Sequence, residues 1–301
     1  MINMMYDVSV YLMTHNRPQF VKRVINSILA QTFHDFNFIV SDNSTNNEVQ
    51  KLIEKENIED SRFSYIKRDC PYDSGIDHFN AIHKEVQSHY YIIFHDDDLM
   101  LPDMVEKLYS TIKEDPEIVA VGAFAYFIKN GKRIGGKMCK HKEIINSSIT
   151  LISKYNTVEG NAVFASYMYN RDLMNNNLLE IKNGGKYSDC SFIVSLPQNG
   201  LVVHIPYRLM EITIHAGQDS QDHQFSEYLT LLRFLKSISG KQNIKLISNL
   251  RVFNIYNETI RRHKIDSIPL FNFKIFCLFF KYSPTNYFPR YFMRILNLYN
   301  K

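Results

Sequence analysis

Three adjacent carboxylates, Asp96, Asp97 and Asp98, follow an apolar run at residues 90–94, with His95 between the run and the first carboxylate. The β-branched and aromatic residues of this run predict a buried strand, so the carboxylates stand where that strand must end. Adjacent carboxylates raise each other's pKa, and a site that holds them together normally holds a cation too. Oxygen ligands suit Mg²⁺ or Mn²⁺. An aspartate-rich surface turn is the alternative, but ligands of open α/β sheets bind at this end of the strands, which favours a metal and phosphate site.

The elements that position these carboxylates alternate between strand and helix. Strands are predicted at residues 8–13, 36–41, 63–67 and 90–94, and helices at residues 19–31, 48–56 and 76–86. This alternation predicts an α/β fold with a doubly wound, mostly parallel sheet and helices on both faces. The polar clusters that follow the strands then lie along one edge of the sheet. Neither a glycine-rich dinucleotide fingerprint nor a Gly-Lys-Ser/Thr phosphate loop is present.

The second half of the chain alternates less regularly. Strands are expected at residues 118–128, 133–138, 201–205 and 209–214, and helices at residues 143–154, 190–196 and 225–238. Asn130 and Gly131 predict a hairpin turn, and Asp189 lies near the start of its helix. Residues 162–169 fit a strand or a buried helix equally well.

Composition indicates an ordinary globular protein of one large domain or of one domain with an appendage. Of the 301 residues, 45% are hydrophobic and 22% are charged, which argues against general disorder. The four cysteines are far apart and form no Cys-x-x-Cys pair, so neither a zinc site nor a disulfide framework is indicated, and a reducing cytoplasm fits best. The longest apolar run, residues 118–128, is too short to span a bilayer.

The C-terminal segment, residues 261–301, has eight basic residues and one acid, interleaved with aromatic and aliphatic stripes. Such stripes suit an interfacial helix on an anionic bilayer. A helical subdomain that packs on the rest of the chain is the alternative. Nucleic-acid binding is disfavoured because the segment is more apolar than basic.

Four motifs in order resemble family 2 nucleotide-sugar glycosyltransferases of the bacterial surface-polysaccharide type. They are Val-Ser-Val-Tyr-Leu-Met-Thr-His-Asn-Arg-Pro at residues 8–18, the helix end at 27–32, Ser-Asp-Asn-Ser at 41–44, and the acidic stretch before residues 99–102, which resembles the family's Asp-x-Asp region. The resemblance covers roughly residues 6–220. It implies a GT-A fold, Mn²⁺ or Mg²⁺, a nucleoside-diphosphate-sugar donor, with a UDP-sugar as first candidate, and inverting, hexosyltransferase-type transfer.

The resemblance also implies a nucleotide-binding half at residues 1–115 and an acceptor half at residues 116–240, followed by a basic aromatic helical region at residues 241–301. It carries nucleotide binding to six positions. Asp42 resembles the residue that hydrogen-bonds the base, Thr14, Asn16 and Arg17 resemble the nucleotide-binding loop, Arg68 reaches the nucleotide, and Asp96 faces the ribose or the metal.

The same resemblance assigns the metal and the chemistry. Asp97 resembles the principal metal ligand, with Asp98 close by, and Asp189 stands where the family places its catalytic base. His215 falls in a late motif near the donor diphosphate and is assigned to the metal ligands. Two departures are His95, which replaces the first acid of the commoner acidic motif and is expected to be structural, and Ser188, which replaces an acid before Asp189.

The acceptor implied by the resemblance is a saccharide hydroxyl, on a lipid-linked saccharide if the C-terminal segment contacts membrane. The protein is then expected in the cytoplasm, peripheral to the inner face of the cell membrane. A metal-dependent phosphoester or nucleotide-sugar hydrolase, which would use the same carboxylates without an acceptor, and a non-catalytic nucleotide-binding module are the alternatives.

Overall fold

The first four strands and three helices form where the hydrophobic pattern predicts them, each within two residues of its expected bounds. The structure, a computed structural model, describes residues 6–129, 131–156, 160–174, 177–214 and 225–239. In chain order the elements are β1 (Val8–Thr14), α1 (Pro18–Leu29), β2 (Phe36–Asp42), α2 (Glu48–Glu56), β3 (Phe63–Lys67), α3 (Gly75–Glu85) and β4 (Tyr90–His95). His215 and the whole C-terminal region, residues 241–301, lie outside the described residues.

The second half adds six strands and six helices to the described part of the chain. They are β5 (Leu99–Met100), α4 (Met104–Ile112), β6 (Ile118–Lys129), β7 (Lys132–Gly135), β8 (Glu143–Ile145), α5 (Ser148–Asn156), β9 (Met168–Asn170), α6 (Arg171–Met174), α7 (Ile181–Gly184), α8 (Ser188–Ser195), β10 (Leu201–Thr213) and α9 (Phe225–Ser239). No helix among the described residues is long and apolar enough to cross a bilayer.

All of these strands join one mixed sheet in the order β3-β2-β1-β4-β9-β6-β10-β5, with β7 paired to β6 and β8 paired to β10. Strands β1 to β4 are mutually parallel, and β10 runs parallel to β6. The short strand β9 is antiparallel to both of its neighbours and joins the two halves. The predicted doubly wound, mostly parallel sheet is therefore confirmed.

Both faces of the sheet are covered by apolar side chains. Along β1, Val10 and Leu12 contribute to one buried layer and Tyr11 to the other, as expected for a strand whose side chains alternate between faces. Helix α1 packs on the first layer through buried residues such as Val24 and Ile28. Because both layers consist largely of apolar side chains, the polar residues that follow the parallel strands lie at the sheet edge.

Two local predictions need correction, and one open choice is settled. The helix expected at residues 143–154 is split: residues 143–145 pair with β10 as β8, and the helix starts only at Ser148, after Ser147, whose Oγ accepts a hydrogen bond from the Ile149 N–H. The two strands expected at 201–205 and 209–214 form one strand, β10, with a register shift between His204 and Arg208. Pro206 lies in that irregular stretch, and proline cannot donate to a strand ladder. Residues 162–169 contain a 3-10 turn and the start of β9.

Candidate active site

Polar side chains from three parallel strands meet at one edge of the sheet. The register sets Thr14 beside Asp42 and Met13 beside His95, so the ends of β1, β2 and β4 are adjacent. Backbone bonds continue past the strands, since the Asn43 N–H donates to the Thr14 carbonyl at 2.9 Å. Open parallel sheets bind their ligands at this edge.

The acidic loop, residues 95–98, starts at the last residue of β4 and packs on the loop after β1. Asp96 Oδ2 accepts a hydrogen bond from Thr14 Oγ1 at 2.8 Å, and Asp96 Oδ1 lies 3.2 Å from Arg17 Nη1. The same Arg17 nitrogen lies 3.2 Å from Asp97 Oδ2. Burial raises the pKa of Asp96, although the Thr14 hydrogen bond and the Arg17 charge act in the opposite direction. Two carboxylates of the acidic loop thus share one guanidinium, which comes from the loop after β1.

Asp98 is buried on the other side of the loop, against β10. Its Oδ1 accepts a hydrogen bond from the Thr213 N–H at 3.3 Å. Burial, followed by the charge of Asp97, raises the pKa of Asp98 to about 8. Arg23 on α1 donates from Nη2 to the Asp97 carbonyl at 2.5 Å and to Thr213 Oγ1 at 2.9 Å. A helix and a strand therefore hold the acidic loop from opposite sides.

Three side chains of the acidic loop form a group that fits a divalent cation. One ligand atom each from His95, Asp97 and Asp98 lies within 4.8 Å of the others. Ligands on opposite sides of a Mg²⁺ or Mn²⁺ ion lie about 4.2 Å apart, so shifts of a few tenths of an ångström would close this group onto an ion. Two carboxylates and an imidazole are suitable donors for such an ion. The sequence analysis assigned Asp97 and Asp98 to the metal and expected His95, the third member of this group, to be structural.

Asp42, the expected base-binding residue, is completely buried at the end of β2. Its Oδ1 accepts a hydrogen bond from the Ser44 N–H at 2.9 Å, and its Oδ2 accepts one from the Tyr65 hydroxyl at 2.7 Å. The Lys67 ammonium lies 3.9 Å from Oδ2. The carboxylate is therefore fixed by partners on its own loop and on the neighbouring strand β3.

Arg68 is anchored beside this carboxylate by side chains from β2 and α3. Its Nε and Nη2 donate to Ser41 Oγ at 3.0 and 2.9 Å, and its Nη1 donates to Glu85 at 2.8 Å. Ser41 Oγ lies 2.7 Å from His78 Nε2. Because Arg68 donates to Ser41, the hydroxyl proton is directed to the His78 ring. Burial lowers the pKa of His78 to about 4, so at neutral pH this ring can accept it.

Asn16 connects the loop after β1 to the loop after β2. Its backbone φ is +53°, in the left-handed region, and its N–H donates to Ser44 Oγ at 2.8 Å. Its side chain donates to Thr45 Oγ1 at 3.0 Å and accepts from the Thr45 N–H at 3.1 Å. Asn16 does not cap helix α1. The helix begins at Pro18, and Arg17, at the N-cap position, makes no side-chain cap. Asn16 is thus a link between two site loops rather than a helix cap.

Asp189 lies in the first turn of α8, where its Oδ1 accepts a hydrogen bond from the Cys190 N–H at 2.7 Å. Phe192, three residues further along the helix, packs on Phe164 with ring centroids 6.1 Å apart. Phe164 packs in turn on His95 at 6.0 Å. Residues three apart share a helix face, so α8 is joined to the acidic loop through these rings on the face that carries Asp189.

Two residues that contact side chains of the candidate site, Arg23 and Tyr65, could not be predicted from local sequence. Arg23 is an ordinary residue of an amphipathic helix, and only the packing of α1 brings it to Asp97 and Thr213. Tyr65 belongs to β3, and its contact with Asp42 depends on strand order. For His95 the available signal was its position, directly before the three aspartates.

The fold and the acidic edge agree with a GT-A fold, and the family assignment points the same way. Residues 9–176, more than half of the chain, match the family model described as glycosyl transferase family 2. The chain therefore belongs to glycosyl transferase family 2.

Two relatives carry glycosyltransferase names without a described activity. An uncharacterised glycosyltransferase of Methanocaldococcus jannaschii is 32% identical over 143 residues, which cover 46% of this chain and about half, 49%, of that protein. An uncharacterised glycosyltransferase of Haemophilus influenzae is 23% identical over 310 aligned residues, covering 97% of this chain and 93% of the relative.

Solved structures share the fold at low sequence identity. Residues 1–349 of Staphylococcus aureus TarS, in complex with UDP-GlcNAc, superpose with a TM-score of 0.63 at 14% identity, covering 88% of this chain and 76% of that one. The mannosyltransferase PcManGT of Pyrobaculum calidifontis, in complex with GDP-Man and Mn²⁺, gives a TM-score of 0.50 at 10% identity, covering 92% and 70%. These similarities confirm the GT-A fold.

Proposed function

We propose that the protein transfers a sugar, with inversion, from a nucleoside-diphosphate sugar to a saccharide hydroxyl in a reaction that needs a divalent cation. The observation that carries the proposal is the meeting of His95, Asp97 and Asp98 with Arg17 at the sheet edge where Asp42 also ends its strand. The donors bound by the two solved relatives, UDP-GlcNAc and GDP-Man, support the same donor class. A UDP-hexose is the first candidate.

The acidic loop is the proposed cation site, with Asp97 and Asp98 as ligands and His215 as a further ligand from outside the described residues. The cation, when bound, would neutralise the negative charge that develops on the departing nucleoside diphosphate. Arg17 adds a positive charge at the same loop, and it is within reach of both Asp96 and Asp97. We propose that Arg17 and the Thr14 hydroxyl orient the phosphates and the ribose through Asp96.

Asp42 and Arg68 are the proposed walls of the base pocket, with Asn16 holding the two loops together. A carboxylate offers about four lone-pair positions, and Ser44 and Tyr65 use two of those of Asp42. Because Asp42 is fully buried, a base can reach it only if the residues that surround it move. Arg68 is fixed by Ser41 and Glu85, so its guanidinium has a defined position.

Asp189 is the proposed catalytic base that accepts the proton of the acceptor hydroxyl. It is only half-buried, which leaves a path for an acceptor, and its helix packs on the acidic loop through Phe192 and Phe164. Inversion requires the base and the leaving diphosphate on opposite sides of the anomeric carbon. Asp189 on α8 and the proposed cation site after β4 lie on different elements, which allows them to flank the anomeric carbon from opposite sides.

The acceptor is proposed to be a saccharide of surface-polysaccharide assembly, lipid-linked, with the protein peripheral on the inner face of the cell membrane. This part of the proposal rests on the basic and aromatic composition of residues 261–301. We expect the full chain to bind anionic vesicles and to be released by about 0.5 M salt, and to leave double-stranded DNA unbound. If the protein does not bind the anionic vesicles at any salt concentration, the proposed membrane contact is wrong and the rest of the proposal is unaffected.

Turnover tests the proposal directly. A panel of UDP- and GDP-hexoses is incubated with saccharide acceptors and Mn²⁺, and the released nucleotide and the glycosylated product are both measured. We expect Asp189→Asn to lower transfer by at least about 100-fold while nucleotide binding is retained. The control is Asp35→Asn, because Asp35 is exposed at the opposite edge of the sheet.

The rival functions give different outcomes in the same assay. Equal release of free sugar with and without acceptor would indicate the hydrolase. Nucleotide binding without any turnover across the panel would indicate a non-catalytic nucleotide-binding module.

A further inference from the structure

We propose that His95 is a nitrogen ligand of the cation site and that it makes the site prefer Mn²⁺ over Mg²⁺. The inference rests on the proposed function, because it assumes that the acidic loop binds a divalent cation. It goes beyond that function by assigning a ligand and a metal preference to this particular chain.

The first support is the position of His95. It is the last residue of β4, and its register with Met13 on β1 sets it at the centre of the polar edge. A ring nitrogen of His95 lies within 4.8 Å of carboxylate oxygens of both Asp97 and Asp98. The ring is therefore near enough to share one ion with both carboxylates.

The second support is that aromatic packing holds the ring of His95. Its centroid lies 6.0 Å from that of Phe164, with 39° between the planes. Phe164 is in turn packed against Phe79 at 5.3 Å and Phe192 at 6.1 Å. A side chain that is already positioned loses little rotamer entropy when it binds an ion. This packing favours a ligand role over that of a loose surface ring.

The third support is the chemistry of the donor set. Mg²⁺ prefers oxygen ligands and gives up its waters reluctantly, whereas imidazole suits first-row transition ions. A neutral imidazole also puts less negative charge around the ion than a third carboxylate would. Replacing one oxygen donor by nitrogen therefore penalises Mg²⁺ more than Mn²⁺.

The test is pulsed electron paramagnetic resonance of Mn²⁺ added alone to the full-length chain, which detects ¹⁴N nuclei bonded to the ion. The variants are made in a His215→Gln background, because His215 is also a proposed ligand of the ion. We expect ¹⁴N modulation in this background and when the control His34→Gln is added, because His34 is exposed at the opposite edge of the sheet. Adding His95→Gln should remove the modulation and weaken Mn²⁺ binding at least about tenfold in calorimetric titration. Adding His95→Asp instead, which leaves only carboxylates in the group, should lower the Mn²⁺/Mg²⁺ affinity ratio by about tenfold.

The outcomes separate this inference from the proposed function. Modulation that persists when His95→Gln is added to the His215→Gln background would overturn the inference, since another histidine such as His15 would then supply the nitrogen. Bound Mn²⁺ without ¹⁴N modulation, lost on Asp97→Ala, would overturn the role of His95 but leave a cation site in the acidic loop. Failure of the unmodified protein to bind Mn²⁺ with or without UDP would overturn the proposed function itself. Thermal unfolding of each variant confirms that it is folded.

Discussion

The three carboxylates of the acidic loop have three different surroundings. Asp96 is held by Thr14 and Arg17, whereas Asp98 is buried against Thr213. Asp97 lies between them, in contact with Arg17 and within the group that fits a cation. A single motif thus supplies one residue that joins the loops, one buried acid and one carboxylate at the centre of the candidate cation group.

The stability of the metal-free protein should fall with rising pH because of Asp98. Burial raises its pKa from 3.8 to about 8, so the folded state binds this proton more tightly than the unfolded state does. The free energy of unfolding then decreases as pH rises towards the folded pKa. Between pH 7.0 and 8.5 we expect Asp98 to contribute a loss of about 1 kcal/mol. Denaturant unfolding across this range measures it, and Asp98→Asn should remove most of the slope.

The buried histidines titrate mainly below this pH range. Burial lowers the pKa of His78 and His83 to about 4 and that of His204 to about 3, so above pH 7 these rings are largely neutral in both states. The control is Asp35→Asn, which should retain the slope. An equal slope in Asp98→Asn and the unmodified protein would refute the assignment.

Asn16 gives a second prediction at the scale of one residue, because its backbone and its side chain can be tested apart. Asn16→Gly keeps the left-handed φ at no cost but removes the bonds to Thr45. Asn16→Ala removes the same bonds and adds about 1 kcal/mol of backbone strain. Urea unfolding should therefore show Ala to be less stable than Gly by about that amount. The reverse order would mean that the loop relaxes away from the left-handed conformation.

At the scale of elements, α1 contributes to the site from two places. Its N-terminal side carries Arg17 and Pro18 at the acidic loop, and one turn later Arg23 reaches the Asp97 carbonyl and Thr213 at the end of β10. The helix therefore fixes the distance between the acidic loop and the last strand. An amphipathic pattern predicts the helix, but it assigns Arg23 only to the polar face.

Replacing Arg23 should loosen this connection. Arg23→Met keeps much of the aliphatic volume and removes both hydrogen bonds, so we expect a loss of about 2 kcal/mol in unfolding free energy and weaker Mn²⁺ binding. The matched control is Lys22→Met on the same helix. The Lys22 side chain is 55% exposed, and within the described part of the chain its ion-pair partner is the surface acid Glu56. That variant should stay within about 0.5 kcal/mol of the unmodified protein. Equal losses in both variants would contradict a role for Arg23 in the site.

At the scale of the whole molecule, sequence patterns predict the first half of the chain well and the second half less well. Strands β1 to β4 have clear apolar runs separated by helices, so their order and their common polar edge could be inferred. The three-residue strand β9 has too little pattern to show that it joins the halves as an antiparallel strand. Likewise, the loss of one helix turn to β8 depends on pairing with β10, a distant segment.

The candidate site follows the same division between local and distant information. Asp42 and the acidic loop could be predicted because they follow recognisable strands. The proximity of His95 to Asp97 and Asp98 depends on the three-dimensional structure, and from sequence alone His95 was expected to be structural. Asp189 lies at the start of a helix, as expected, and its relation to the acidic loop depends on Phe192 and Phe164.

Calorimetric titration of UDP, GDP and dTDP with and without Mn²⁺ tests directly whether this sheet edge is a cation-dependent donor site. The titrations are made on the unmodified protein, on Asp97→Ala and on the control Asp35→Ala. We predict that one nucleotide binds only when Mn²⁺ is present, and that Asp97→Ala abolishes this binding while Asp35→Ala retains it. If none of the three nucleotides binds the unmodified protein in the presence of Mn²⁺, the acidic loop is not a donor site and the account is contradicted.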